Sequence, residues 1–371
     1  MSKSFQRWDV DFTLSLHNRT GKYFIGRDII DTLPDVFRSV KIWRLPERVG
    51  VNALSRKVIG RLWAEEDRLR ARYPRLVPRQ RSRRAVLHLD PMTVLGWHVA
   101  SHDAVLCHDL GPLTHPELFA PSVTALYERV YARIAERQPR MAFVSQASRT
   151  AFQRLYGTGS PATVIYPPIR TGVAGGAQHA VDGVEGLFLL TVGSIGRRKN
   201  QLASIRAFAH AGLADAGYRY VICGSREPGS EAVIAEAGQT PGVILLPYVS
   251  DEQLRWLYAH ARGFVLVSLL EGFGVPVAEA MRNGLVPLIS ANSVLEEVAG
   301  PSAIAVDPHS VEAIAAGMIQ LAELRPDQIA ARRVDLEARL DAFSMPTFVD
   351  AWRAFLRAEA EHRPAPLVAS L

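Results

Sequence analysis

The sequence predicts an α/β protein: two Rossmann-like, doubly wound domains facing one cleft. Three observations predict it. Short apolar runs alternate with amphipathic helical stretches along the chain. The alternation breaks once, at Tyr166-Pro167-Pro168 and the glycine-rich segment 171–186. The pieces on either side are of similar size, and 371 residues suit two domains.

In the first half, 9–16 reads as a strand, followed by a polar turn through Thr20-Gly21 and a helix from Tyr23 to Leu33. Residues 51–70 read as a helix with Val51, Leu54, Val58 and Leu62 on one stripe, flanked by Arg56, Lys57 and Arg61. Such a helix either packs on its own domain or lies on a membrane surface. Strands follow at 85–89, 103–107, 141–145 and 162–166, with helices at 121–137 and 146–156. The expected first domain is 1–170 and the expected linker 171–186. The second domain, 187–345, carries strands at 187–192, 218–223, 243–246, 263–268 and 286–290. Its helices are expected at 200–211, 228–237, 251–261, 276–283, 293–299 and 310–323. A last helix is expected over 346–361 of the terminal segment 346–371.

Apolar residues make up 48% and charged residues 22%, which excludes a disordered or collagen-like chain. The longest apolar runs hold seven or eight residues, far short of the roughly 20 that cross a bilayer. The N-terminus lacks a signal-peptide core, and Cys107 and Cys223 are isolated in apolar runs. A reducing cytoplasm is the expected compartment. Charge is divided unevenly. Residues 1–170 hold 27 Lys+Arg against 15 Asp+Glu, or +12; residues 171–371 hold 16 against 22, or −6. Eight arginines fall between 68 and 84. This is either a solvated face or a surface for anionic lipid or a lipid diphosphate. No nucleic-acid partner is expected, because zinc-finger spacing, RNA-binding signatures and aromatic–basic interleaving are missing.

Two motifs carry chemistry. After strand 187–192 come Gly193-Ser194-Ile195-Gly196-Arg197-Arg198-Lys199-Asn200. A strand end, a glycine turn and adjacent cations before a helix make a diphosphate clamp: Arg offers a fork and Lys a point charge. A basic turn capping a helix reads equally well. The second motif is Glu271-Gly272-Phe273-Gly274-Val275-Pro276-Val277-Ala278-Glu279. Its glycines let backbone approach a ligand, Pro276 suits a helix start, and Gly284 suits its end. Glu279 is expected in the first helical turn. Carboxylates beside free amides suit a polyhydroxylated, phosphate-bearing ligand, although a capping role explains Glu279 too.

Together with Cys223-Gly224-Ser225, Tyr248-Val249-Ser250-Asp251, Ser293…Glu297-Val298…Gly300 and Asp307-Pro308, these motifs resemble the donor domain of retaining glycosyltransferases of family 4, with the GT-B fold, over 187–310. The resemblance implies that Arg198 and Lys199 hold the diphosphate of a nucleotide sugar, Glu271 its sugar hydroxyls and Glu279 its ribose. It implies that Tyr248 and Val249 abut the base, and that amides at Phe273, Gly274 and Val275, with Gly193, Ser194, Gly224 and Gly272, approach the donor. In the first half, Val105-Leu106-Cys107-His108-Asp109 is similar to the family's acceptor strand, whose histidine, here His108, lies near the transferred sugar; a strand-end structural histidine is the alternative. Thr20-Gly21 resembles the loop that reaches the phosphates, without the double glycine often found there. The helix at 346–361 resembles the crossover back to the first domain.

The implied activity is retaining, metal-independent sugar transfer, with no cofactor beyond the nucleotide-sugar co-substrate. The segment 108–119 is most similar to mannosyl- or rhamnosyl-type bacterial members. GDP-mannose is therefore the expected donor and UDP-glucose or another UDP-sugar the next. The expected acceptor is a saccharide or polyprenyl-diphosphate-linked saccharide of polysaccharide or lipopolysaccharide assembly, met at the inner leaflet. A nucleotide-sugar epimerase or hydrolase, or a non-catalytic binding relative, are the alternatives. Asp9-Val10-Asp11 spells a DxD pair, and His98, His102, His108 and His115 approach zinc spacing, but neither has the context of a metal site. No metal is expected.

Overall fold

The structure is a computed structural model that describes residues 7–16, 21–47, 53–73, 76–170, 172, 175–247 and 249–358. The first sheet contains β1 (Trp8–Asp11), β2 (Phe37–Ile42), β3 (Leu45–Pro46), β4 (Val86–His88), β5 (Ala104–Cys107), β6 (Arg140–Phe143) and β7 (Ala162–Val164). Its helices are α1 (Gly21–Thr32), α2 (Ala53–Arg72), α3 (Gly111–Thr114), α4 (Pro121–Arg137) and α5 (Gln146–Tyr156). The second sheet contains β8 (Leu187–Val192), β9 (Tyr218–Cys223), β10 (Val243–Leu246), β11 (Gly263–Leu266), β12 (Pro287–Ser290) and β13 (Ile304–Val306). Around it lie α6 (Gln201–His210), α7 (Glu231–Gln239), α8 (Asp251–His260), α9 (Val275–Arg282), α10 (Val294–Ala299), α11 (Val311–Glu323) and α12 (Pro326–Leu340). The last described helix is α13 (Met345–Arg357).

The strand orders are β3-β2-β1-β4-β5-β6-β7 and β10-β9-β8-β11-β12-β13. Every pairing is parallel except β2 with β3. Strands such as β5 and β12 are buried along their whole length, as parallel strands covered by helices on both faces must be. In both sheets the order reverses beside the first strand, between β1 and β4 and between β8 and β11. Crevices at such reversals, at the C-terminal strand ends, are where open α/β sheets take ligands.

Three expectations are corrected. The first strand stops at Asp11, because the Asp11 carboxylate accepts from the Thr13 amide and turns Thr13–Leu16 into a 3-10 turn. Strand β2, whose middle is polar or exposed, short β13 and charged α12 went unread. Helix α2 is present, but its stripe faces solvent: Leu54 is 73% and Leu62 53% exposed. Its inward side is ionic. Glu66 holds Arg70, Arg44 and the Trp43 indole, and Arg70 is buried. Val51 lies outside the described residues.

The segment between the sheets is tied down. Arg255 of α8 donates to the carbonyls of Gly172 and Ala177, and Val181 and Val184 are buried. Helix α13 returns to the first sheet, as the resemblance implied. The Trp8 indole donates to the Leu356 carbonyl at 3.2 Å, and Arg353 grips Asp35 with two bonds of 2.7 and 2.9 Å. Tyr166, Phe273 and Phe343 form an aromatic cluster with ring centroids 5.3–5.8 Å apart.

One contact closes the two halves on each other. The carboxylate of Glu297, on α10, accepts from the Gln146 and Ala147 amides of α5 at 2.5 and 2.9 Å. Ser145 satisfies the next amide, that of Ser148, at 3.1 Å. These are the first three N–H groups of α5, which have no carbonyl of their own. One half of the protein thus caps a helix of the other. Glu297→Ala is expected to lower the unfolding free energy by about 1–2 kcal/mol, the scale of a lost N-cap. Urea titration with small-angle scattering checks this; an unchanged midpoint and radius of gyration would show that the contact carries no closure.

Candidate active site

The site forms where β8 and β11 end. Beyond β8 the chain must turn beside β9, and glycine makes that possible. A Cβ on Gly224 would stand 1.9 Å from the Gly193 carbonyl oxygen. The Gly193 amide donates to the Cys223 carbonyl and that of Ile195 to Ser225. Arg197–Lys199 then form a 3-10 turn before α6, rather than the α-helix start itself. Gln201 fixes the turn by accepting from the Gly196 amide and donating to the Ser194 carbonyl. Asn200 adopts a left-handed φ of 57° and donates to the Val267 and Pro308 carbonyls.

Arg198 and Lys199 therefore point at the loop after β11. Lys199 is buried and pairs with Oε1 of Glu271. Arg198 Nη1 lies 3.3 Å from Glu271 Oε2 and donates to the Leu270 carbonyl at 3.0 Å. Ser268 Oγ donates to Glu271 Oε1 at 2.8 Å. Burial alone would push the Glu271 carboxyl up, but Lys199 and Arg198 outweigh it and hold it below the usual range. The carboxylate thus neutralises charge on both cations.

Across the cleft, β5 ends in His108 and Asp109. A Cβ on Gly272 would lie 2.4 Å from the His108 carbonyl oxygen, so only glycine permits this approach. His108 Nε2 donates to the Leu89 carbonyl at 3.0 Å, which fixes that tautomer. Burial, helped by Lys22, pushes its pKa down to about 4, so the ring is neutral. Asp109 is pulled below the carboxylate range against its burial, chiefly by Lys22, whose Nζ is 3.7 Å away. Gly21 opens α1 and so brings Lys22 to this wall; a Cβ added at Gly21 would meet nothing within 4 Å.

The remaining predicted residues divide. Gly272 and Gly274 shape the loop; Gly274 has φ 100° and caps α9, and the amides of Gly274 and Val275 open that helix without a carbonyl one turn back. Val275 rather than Pro276 starts the helix. The Phe273 ring turns into the aromatic cluster, so only its backbone faces the cleft loop. Glu279 is the fifth residue of α9, one position deeper than expected, because the helix begins at Val275; it is buried and accepts from the Tyr258 hydroxyl at 3.0 Å. Its burial raises its pKa, against the pull of Arg170. Val249 is half-buried against the core; Tyr248 lies outside the described residues. The DxD pair serves structure. Asp9 accepts from Ser39 and Ser82, and Asp11 from Thr13 and Trp97. Among the described residues, no three His, Cys, Asp or Glu side chains are grouped to hold a metal ion. Sequence reading missed Lys22 and Ser268, and it quoted Glu297 within a motif without its capping role. The position of Lys22 beside Gly21 was the one local signal available.

Two doubly wound domains, with a cation pair at one reversal point and a strand-end histidine facing it, define the GT-B class. Residues 181–339 match the model of the glycosyl transferases group 1 family, so the second domain is similar to that family. The O-antigen chain mannosyltransferase B of Escherichia coli is 37% identical over 139 residues, 36% of each chain. The GDP-mannose:cellobiosyl-diphosphopolyprenol alpha-mannosyltransferase of Xanthomonas oryzae is 35% identical over 119 residues, 30% of this chain and 31% of that one. These matches span about a third of those relatives' lengths. The solved structure of Anabaena Alr3699/HepE with UDP and glucose shares the fold. Its TM-score is 0.68 at 16% identity, over 95% of this chain and 99% of that one.

Because folding depresses the pKa of His108 from 6.5 to about 4, the stability of its neutral form is full above pH 6.5 and lost as pH falls toward 4. Its ring resonances are expected to stay unshifted in an NMR titration from pH 8 to about 5.5. Titration near 6.5 would show an open, solvated ring.

Proposed function

We propose that this protein is a retaining glycosyltransferase that moves mannose from GDP-mannose to a hydroxyl of a lipid-linked saccharide, without a metal ion. The observation that carries this reading is the buried cluster of Arg198, Lys199 and Glu271, placed at the reversal point and facing neutral His108. In the transfer, the bond between the sugar's anomeric carbon and the donor phosphate breaks. The acceptor oxygen bonds to that carbon on the same face, and its proton ends on the departing phosphate oxygen. The charge that develops is on the diphosphate. Fixed cations in a water-poor cleft stabilise it in the manner of an oxyanion hole, where one donor is worth about 3–4 kcal/mol. Glu271, once displaced from Lys199 by the diphosphate, is free to accept from sugar hydroxyls. Closure through Glu297 limits hydrolysis.

Mannose and a diphospholipid acceptor are supported by the relatives, one of which is a GDP-mannose-dependent enzyme acting on a diphosphopolyprenol. A UDP-sugar is the second reading, since a fold neighbour binds UDP and glucose. Placement at a membrane is supported by the inverted polarity of α2. An ionic inner face and an exposed stripe of Leu54, Val58 and Leu62 suit an apolar medium outside the protein. Arg56, Lys57 and Arg61 flank the stripe and suit anionic headgroups. This surface supports a reading in which the enzyme works at the inner leaflet, in polysaccharide or O-antigen assembly.

The test is transfer from GDP-mannose and UDP-glucose to a polyprenyl-diphosphate saccharide in vesicles with and without phosphatidylglycerol. GDP-mannose is expected to support transfer at least about tenfold faster than UDP-glucose, a 1.4 kcal/mol preference. Anionic lipid is expected to accelerate it, and Val58→Glu to abolish that acceleration. Preference for UDP-glucose would reverse the donor assignment. Indifference to anionic lipid would remove the membrane surface.

A further inference from the structure

Beside the cation pair lies a cavity of about 220 Å³ that the transfer described above leaves without a role. It runs across the ends of β11, β12 and β13, and His115 lines it from the other half of the protein. Ser268, Ser290, Asn292, Ser293 and Asp307 contribute its polar wall.

The hydrogen bonds of this wall select a ligand chemistry. Ser268 donates to Glu271, Ser290 to the Ser268 carbonyl at 2.6 Å, and Ser293 to the Ser290 carbonyl at 2.7 Å. A serine hydroxyl has one hydrogen, so toward a ligand these three have only lone pairs to present. Asp307 accepts from the His309 amide, and its other carboxylate oxygen is a further acceptor. Thr114 Oγ1 lies 2.9 Å from Nδ1 of His115 and orients that ring at the cavity's edge. With Asn292, whose side-chain amide both donates and accepts, the wall is rich in acceptors and suits a neutral ligand whose hydroxyls donate and accept. The volume equals roughly seven waters at about 30 Å³ each, room for one sugar ring.

We propose that this cavity is a subsite for one neutral pyranose ring, held by Ser290, Ser293, Asp307 and His115. The inference rests on the glycosyl-transfer reading and deepens it. Ser268 joins the cavity to Glu271, so a ring seated here lies one side chain from the predicted sugar-binding carboxylate. Because His115 and the Ser290–Ser293 loop belong to different halves, the subsite is complete only in the closed protein. The ring is either the sugar of the donor or the terminal sugar of the acceptor.

His115→Ala and Asp307→Asn test it in the full chain; both positions are partly exposed, and unfolding midpoints control for folding. Michaelis constants for nucleotide sugar and acceptor are measured separately, with GDP affinity measured by calorimetry. Each variant is expected to raise one Michaelis constant roughly fivefold, the scale of one lost hydrogen bond, with GDP affinity unchanged. A rise for the nucleotide sugar assigns the ring to the donor, and a rise for the acceptor assigns it to the acceptor. Saturation-transfer NMR with methyl α-mannoside and methyl α-glucoside needs no turnover. A signal in the wild type that both variants lose supports the subsite even if no donor is transferred. No signal in the wild type, or Michaelis constants unmoved in both variants, overturns it.

Discussion

Two adjacent cations are held in a nearly buried cleft by one carboxylate, and the arrangement of the site follows from that constraint. Lys199 and Glu271 expose only 8% of their side chains, so neither charge is tolerable there alone. Glu271 lies on the loop after β11 and the cations on the loop after β8. Neighbouring parallel strands bring together residues more than 70 positions apart. The Ser268 hydroxyl and the Leu270 carbonyl complete the partners of the trio. In the proposed transfer, a diphosphate entering this cleft would exchange one anion for another at the same cations. Its desolvation is therefore offset by contacts already built, and Glu271 is released beside the sugar.

The closed arrangement of the two halves is the second requirement. Gly272 meets the His108 backbone, Leu270 packs against Gly111, and Arg197 donates to the Glu117 carbonyl. The Glu297 cap and the aromatic cluster around Tyr166 hold the same arrangement from the far side. These contacts keep neutral His108 and the Lys22–Asp109 pair opposite the cation pair. They also bring His115 to the edge of the cavity lined by Ser290 and Ser293. Transfer without hydrolysis depends on such closure, because water competes for the same anomeric carbon.

Much of the fold was legible because its signals are local. Strands such as 187–192 and 218–223 are apolar runs bounded by glycine, and the cation and glutamate motifs sit at their ends. What escaped has a physical reason. Strand β2 has polar or exposed residues along its middle, and α12 buries only Leu336, so neither shows a clear apolar period. The stripe on α2 was readable, but its direction was not: the ionic partners of Glu66 that hold the helix polar-side-in come from residues up to 23 positions away. The site divides in the same way. Arg198, Lys199 and Glu271 announce themselves in motifs, and the structure brings them together. The depth of Glu279 depended on a helix start one residue earlier than Pro276 suggested. The Glu297 cap joins positions 151 apart, and no local pattern encodes it.

The most direct measurement is a crystal structure of the protein with a nucleoside diphosphate bound. The account predicts its two phosphates within hydrogen-bonding distance of the Arg198 guanidinium and Lys199 Nζ, with the Glu271 carboxylate moved off Lys199. A diphosphate bound elsewhere, with the Lys199–Glu271 pair intact, would contradict it.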